Sequence, residues 1–94
     1  MNTERQIESR LVSGARKRGC FVRKIQFIAY RGCPDRIVIT PKGAVHWVEL
    51  KAPHGRLSKS QILTHEFLTY YAQNVSVLSS YEEVDAFLGG LQCN

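Results

Sequence analysis

Two carboxylates and an ammonium stand in this chain at the spacing that phosphoryl chemistry needs. Glu49 and Lys51 lie one residue apart at the end of "AVHWVELK", a run with the period of a strand. Side chains alternate across a strand, so Glu49 and Lys51 share a face, with Cα atoms about 6.6 Å apart. Val45 and Trp47 share that face farther from the strand end, and His46, Val48 and Leu50 take the other. A second strand candidate, "DRIVIT", begins with Asp35 directly after Gly32-Cys33-Pro34, and Pro41-Lys42-Gly43 reads as the hairpin turn between the two strands. With the turn there, Asp35 falls roughly opposite Glu49. Two carboxylates at one sheet end suit a hard divalent cation, Mg²⁺ or Mn²⁺, which takes oxygen ligands, waters and substrate phosphate. Lys51 beside them would stabilise the charge that builds on an attacked phosphate. A surface ion network at a strand end is the other use for these residues.

The remaining elements must hold these side chains in place. Three helices are marked by hydroxyl-to-acid or hydroxyl-to-amide spacings of the capping-box type: Thr3 with Gln6, Ser58 with Gln61, and Ser80 with Glu83. The first helix places Ile7, Leu11, Gly14 and Ala15 on one stripe and stops near Gly19. The second places Leu63, Phe67, Tyr70 and Tyr71 on one stripe and stops near Asn74. The third places Val84, Phe87, Leu88 and Leu91 and stops near Gly89 and Gly90. "CFVRKIQF" is a further strand candidate, and "VSVL" a short fourth strand between the last two helices. The order is α-β-β-β-α-β-α. A three-strand meander cannot cover its own apolar faces, so the helices pack on it. The crossover through the second helix favours a parallel pair at that edge.

With 94 residues the chain is expected to form one domain, spanning 1–94. No apolar run approaches a membrane span, and the polar start "MNTERQIESR" is no signal peptide. Three cysteines, an odd number without C-x-x-C spacing, argue against a disulfide framework and a zinc ribbon and for a reducing, cytoplasmic compartment. All 13 Lys and Arg lie before residue 61, against four of the 8 acids; the rest of the chain has only acids. A basic field on one part of a small domain fits a polyanion such as nucleic acid. Arg16-Lys17-Arg18, with Arg23 and Lys24, reads as charge that contacts a phosphate backbone without reading sequence.

"CPD-x(13)-ELK" resembles the motif of the PD-(D/E)XK nuclease superfamily, with Pro34-Asp35 and Glu49-Leu50-Lys51 matching its two halves. The following "GRLSKSQ", the Glu-bearing first helix and "RGCPDRIVI" resemble the VRR-NUC branch, and the resemblance spans roughly residues 4 to 88. It implies a restriction-endonuclease-like α/β fold with a central mixed four-stranded sheet flanked by helices. By the same resemblance Asp35 and Glu49 are metal-ligating acids, the Leu50 carbonyl a main-chain ligand and Lys51 the catalytic lysine. Glu8 resembles the first-helix acid that completes the metal shell, in preference to Glu4 one turn earlier. Gln61 resembles the catalytic-site residue on the second helix, although the same side chain is needed for the capping box with Ser58 and cannot fully serve both.

Arg56 follows the strand end closely and is the better phosphate clamp, because a guanidinium binds phosphate bidentately; Arg31 and Lys59 are the other expected DNA contacts. Tyr30 would stack on DNA or pack its own loop, and His54 reads as an exposed loop residue. His46, His54, His65, Cys20 and Cys33 lack the tight spacing of a transition-metal site. The expectation is a stand-alone Mg²⁺-dependent endonuclease without a small-molecule cofactor. Stand-alone members of the branch resemble junction-resolving enzymes, which work as homodimers on branched DNA. Tyr70, Tyr71, Phe87, Leu88 and Leu91 are assigned to packing and dimer contact. A compact lone nuclease of this kind suits a phage or mobile element in a bacterial cytoplasm. The alternative is an inactive or accessory nucleic-acid-binding module that has kept the fold.

Overall fold

A computed structural model describes residues 1–93. The elements are α1 (Glu4–Lys17), β1 (Phe21–Lys24), β2 (Arg36–Ile39), β3 (Val45–Leu50), α2 (Lys59–Tyr70), β4 (Asn74–Leu78) and α3 (Tyr81–Gly89), in the order the sequence predicts. They form one four-stranded sheet, ordered β1-β2-β3-β4. The first three strands are antiparallel and β4 runs parallel to β3, with Leu50 beside Leu78.

Alternation along the strands divides the sheet into two unlike faces. Val22, Val38, Val48 and Leu50 point to one face and pack with Ile7, Leu11 and Ala15 of α1 and Val84 and Leu88 of α3. Ile7, Leu11, Ala15, Val38, Val48 and Val84 are fully buried. Gly14 sits where α1 crosses α3; a Cβ there would run into Leu88. On the opposite face α2 packs over β4. Trp47 stands edge-on to Phe27 there and donates from Nε1 to Gln73 Oε1 at 2.9 Å. No helix among the described residues is long and apolar enough to cross a membrane.

Three local expectations need correction. The first strand is shorter than "CFVRKIQF": after Lys24 only the Ile25 amide still bonds back, to the Asp35 carbonyl at 3.2 Å, and the chain then turns through Ala29 at φ 68°. The third capping box is only half formed. Ser80 accepts from the Glu83 amide at 3.1 Å, but Glu83 turns its carboxylate to the backbone and hydroxyl of Ser79. The apolar stripe of α2 is not buried either. Leu63, Phe67, Tyr70 and Tyr71 are all more than half exposed, so one flank of α2 is left uncovered.

Candidate active site

The site forms where β2 and β3 end side by side. Arg36 pairs with Val48, and continuing that register sets Asp35 beside Glu49, as the turn position predicts. One step further, Pro34 falls opposite Leu50. Proline has no N–H, so it offers no ladder donor to the Leu50 carbonyl. The Leu50 amide instead donates to Asp35 Oδ2 at 2.7 Å. A charge-assisted bond to backbone of this length fixes the Asp35 carboxylate against β3.

Glu49 is 2% exposed, the only carboxylate so deeply buried among the described residues. Its two oxygens are each met by α2. Gln61 Nε2 donates to Oε2 at 3.3 Å, and His65 Nε2 lies 3.4 Å from Oε1. Gln61 and His65 are four residues apart, so they share one helix face. The sequence offers His65 only as a transition-metal ligand, set aside for want of ligand spacing, and not as a partner of Glu49; its offset from Gln61 is the signal that finds that role. Gln61 also completes the cap of α2, for its Oε1 accepts the Ser58 amide at 2.8 Å. The two roles were expected to compete; instead the two ends of one amide divide them.

Burial pushes the Glu49 carboxyl up to about 8, and the neighbouring Asp35 carboxylate adds to the shift. Lys51 opposes it, and Glu4 raises it slightly further. His65 is pushed down by burial and by Lys51. The contact between Glu49 and His65 is therefore a hydrogen bond between neutral groups near pH 7 rather than an ion pair. Lys51 is half-buried and close enough for its charge to act on both.

The loop carrying Asp35 is held by α2 as well. Thr64 Oγ1 donates to the Arg31 carbonyl at 3.1 Å. Gly32, at φ 87°, lies so close to Ser60 that a Cβ would run into the Ser60 carbonyl. One helix thus positions Glu49 directly and Asp35 through its loop.

Glu8 is engaged elsewhere: Arg36 Nε donates to its Oε2 at 2.9 Å, on the α1 side of the sheet. Arg31, Arg56 and Lys59 are exposed, in the loops before β2 and after β3 and at the first residue of α2. Arg16, Lys17 and Arg18 are exposed at the end of α1, but they diverge. Arg16 and Lys17 line a groove with Arg36, whereas Arg18 donates to the Gly14 carbonyl beside α3. His46 stands edge-on to Phe87, and His54 is exposed at φ 66°. Tyr30 is 78% exposed.

Among the described residues no three His, Cys, Asp or Glu side chains form a metal cage. Two carboxylates and a main-chain oxygen without its ladder donor are nevertheless an all-oxygen set. Mg²⁺ commonly uses one or two carboxylates and completes its shell with water and phosphate. Burial first and then Asp35 raise the Glu49 carboxyl, and a bound cation would offset both causes. The residues fit a hard divalent ion.

No family model matches the chain. It is 38% identical over 79 residues to "Putative nuclease p44" of Acyrthosiphon pisum secondary endosymbiont phage 1, covering 84% of this chain and 85% of that protein. A solved structure described as a VRR_NUC domain superposes with a TM-score of 0.88 at 26% identity, covering 97% of this chain and 100% of that one.

Proposed function

The chain belongs to the VRR-NUC family of nucleases, and from that premise we propose that it is a metal-dependent DNA endonuclease acting on branched DNA as a homodimer. The observation that carries the chemistry is the Asp35–Glu49 pair beside Lys51, with Glu49 held up to about 8 by burial and Asp35. Asp35, Glu49 and the Leu50 carbonyl would hold Mg²⁺ or Mn²⁺. When bound, the ion supplies positive charge to the phosphate oxygens and makes a water more acidic.

The protein's own groups do the rest. Lys51 faces the scissile phosphate and offsets the charge that grows on its oxygens. Gln61 and His65 hold the Glu49 carboxyl from α2, one on each oxygen. Such outer partners typically matter by about 10–100-fold in affinity or activity. Glu8 completes the shell only by releasing Arg36. Glu4, one turn earlier and outside every ion pair among the described residues, is the alternative acid. Arg56, in the loop after β3, and Lys59, at the first residue of α2, would clamp the strand beside the cut, as would Arg31, which also lines the groove beside α2.

The homodimer is supported by the uncovered flank of α2, where Leu63, Phe67 and Tyr71, all more than half exposed, line a mostly apolar groove of about 800 Å³ with Phe27, Tyr30 and Arg31. We assign this groove to a second copy. Leu88 is in the core, and Phe87 and Leu91 pack against it, so they serve packing rather than dimer contact. Two sites related by a dyad would cut opposing strands at a branch.

Incubating the purified protein with four-way, flapped and linear duplex DNA, with Mg²⁺ and with chelator, tests the reading. Paired cuts in the four-way junction that need the metal are expected. Tight DNA binding without cleavage of any substrate would favour an inactive module instead.

A further inference from the structure

We propose that a groove along α1, outside the catalytic centre, binds the phosphate backbone of a DNA arm; this rests on DNA being the substrate. The groove has a volume of about 540 Å³ and is lined by Arg5, Ser9, Ser13, Arg16, Lys17 and Arg36. Its one acid, Glu8, is bonded to Arg36 at 2.9 Å. Among the described residues, Arg5, Arg16 and Lys17 have no carboxylate partner within ion-pair distance.

The helix explains why these residues meet. Positions 5, 9, 13 and 16–17 recur at intervals of about four residues and form one stripe. Ile7, Leu11 and Ala15 occupy the opposite stripe, in the core. The helix dipole accounts for cations in the last turn, where Arg16 and Lys17 sit. It does not account for Arg5, which lies in the first turn, where a cation is unfavourable. A ligand of negative charge along the whole stripe accounts for all three, and the two serine hydroxyls add neutral donors.

The dimensions suit a duplex arm. At 1.5 Å per residue, Arg5 to Lys17 spans roughly 18 Å, the axial rise of about five base pairs at ~3.4 Å each. The placement suits a continuation of the substrate. Arg36 follows Asp35 directly, and its side chain takes the α1 side of the sheet while Asp35 lies beside Glu49 on the other. Arg5 follows Glu4, whose charge reaches Glu49. A strand that leaves the catalytic centre around the sheet end therefore meets Arg5 and Arg36 first, and Arg16 and Lys17 last.

The test replaces Arg5, Arg16 and Lys17 together by Gln, with single Arg5→Gln as a second variant and Lys42→Gln, in the turn at the far sheet end, as the control. Fluorescence anisotropy with a 30-base-pair duplex in chelator gives the dependence of affinity on salt. Calorimetric Mn²⁺ binding without DNA reports the catalytic centre alone. The triple variant is expected to lose about 0.9 of log–log slope per lost phosphate contact, and Arg5→Gln one such step. Mn²⁺ affinity should stay at the wild-type value, and Lys42→Gln should keep the wild-type slope. A wild-type slope in the folded triple variant, or an equal loss in Lys42→Gln, overturns the groove. Absence of four-way-junction cleavage by the wild-type protein in Mg²⁺ would count against the nuclease reading, while the slopes would still decide the groove.

Discussion

Gln61 donates to the Glu49 carboxylate at 3.3 Å with one end of its amide while the other end caps α2 through the Ser58 backbone at 2.8 Å. The start of a helix and the rotamer of a buried acid are thereby set by one side chain. Gln61→Glu keeps an acceptor for the Ser58 amide and loses the donor to Glu49; Gln61→Ala loses both. Cleavage should fall by roughly 10–100-fold in each. Only Gln61→Ala should also lose the Ser58 amide's partner, about 1 kcal/mol of stability in urea unfolding, while the Ser58 hydroxyl still accepts the Gln61 backbone amide. Equal stability losses in the two variants would show that the cap does not depend on this oxygen.

His65 meets the other oxygen of Glu49. Burial and Lys51 hold its imidazole below its ordinary pKa, so it acts as a neutral partner that orients the acid. His65→Ala should weaken Mn²⁺ binding and cleavage together, by about tenfold or more, and His65→Gln should restore part of both. Cleavage at the wild-type rate in His65→Ala would remove this role.

In the metal-free protein, stability should fall as pH rises toward 8. Glu49 loses its proton near 4.5 in the unfolded chain but near 8 in the folded one. Between those values the unfolded state binds fewer protons, so each pH unit lowers stability, by at most about 1.4 kcal/mol. His46 and His65, both lowered from 6.5, act in the opposite sense up to about that pH. The clearest window is therefore pH 6.5 to 8. Urea unfolding in chelator should show the decline in the wild type and a flatter profile in Glu49→Gln. Equal slopes would mean that Glu49 ionises freely in the fold.

Much of this site follows from short-range rules. Strand alternation puts Glu49 and Lys51 on one face, and the Pro41-Lys42-Gly43 turn fixes the register that brings Asp35 alongside. Contacts distant in sequence are less legible. Nothing near Glu8 announces that Arg36, 28 residues away, will take its carboxylate. The meaning of His65 depends on how α2 lies over β3. Gly32 shows only in three dimensions that it admits the Ser60 carbonyl. The apolar stripe of α2 was plain from its period, but a period does not say whether the chain itself or a second copy covers it.

That stripe carries the prediction about assembly. Light scattering should give about twice the 10.7 kDa chain mass. Leu63→Ser, Phe67→Ser and Tyr71→Ser together should yield a folded monomer, because these side chains are more than half exposed already. The monomer should nick a four-way junction and fail to make paired cuts. A wild-type protein that stays monomeric at micromolar concentration, on and off DNA, contradicts the dimer.

The central claim is that Asp35 and Glu49 hold the metal while Lys51 acts on the phosphate. Single-turnover cleavage paired with calorimetric Mn²⁺ binding, across wild type, Asp35→Asn, Glu49→Gln and Lys51→Ala, tests it most directly. Asp35→Asn and Glu49→Gln should lose both cleavage and most Mn²⁺ affinity, while Lys51→Ala should lose cleavage and keep Mn²⁺ affinity. Undiminished cleavage in Asp35→Asn, or Mn²⁺ affinity lost in Lys51→Ala and kept in Glu49→Gln, would contradict it.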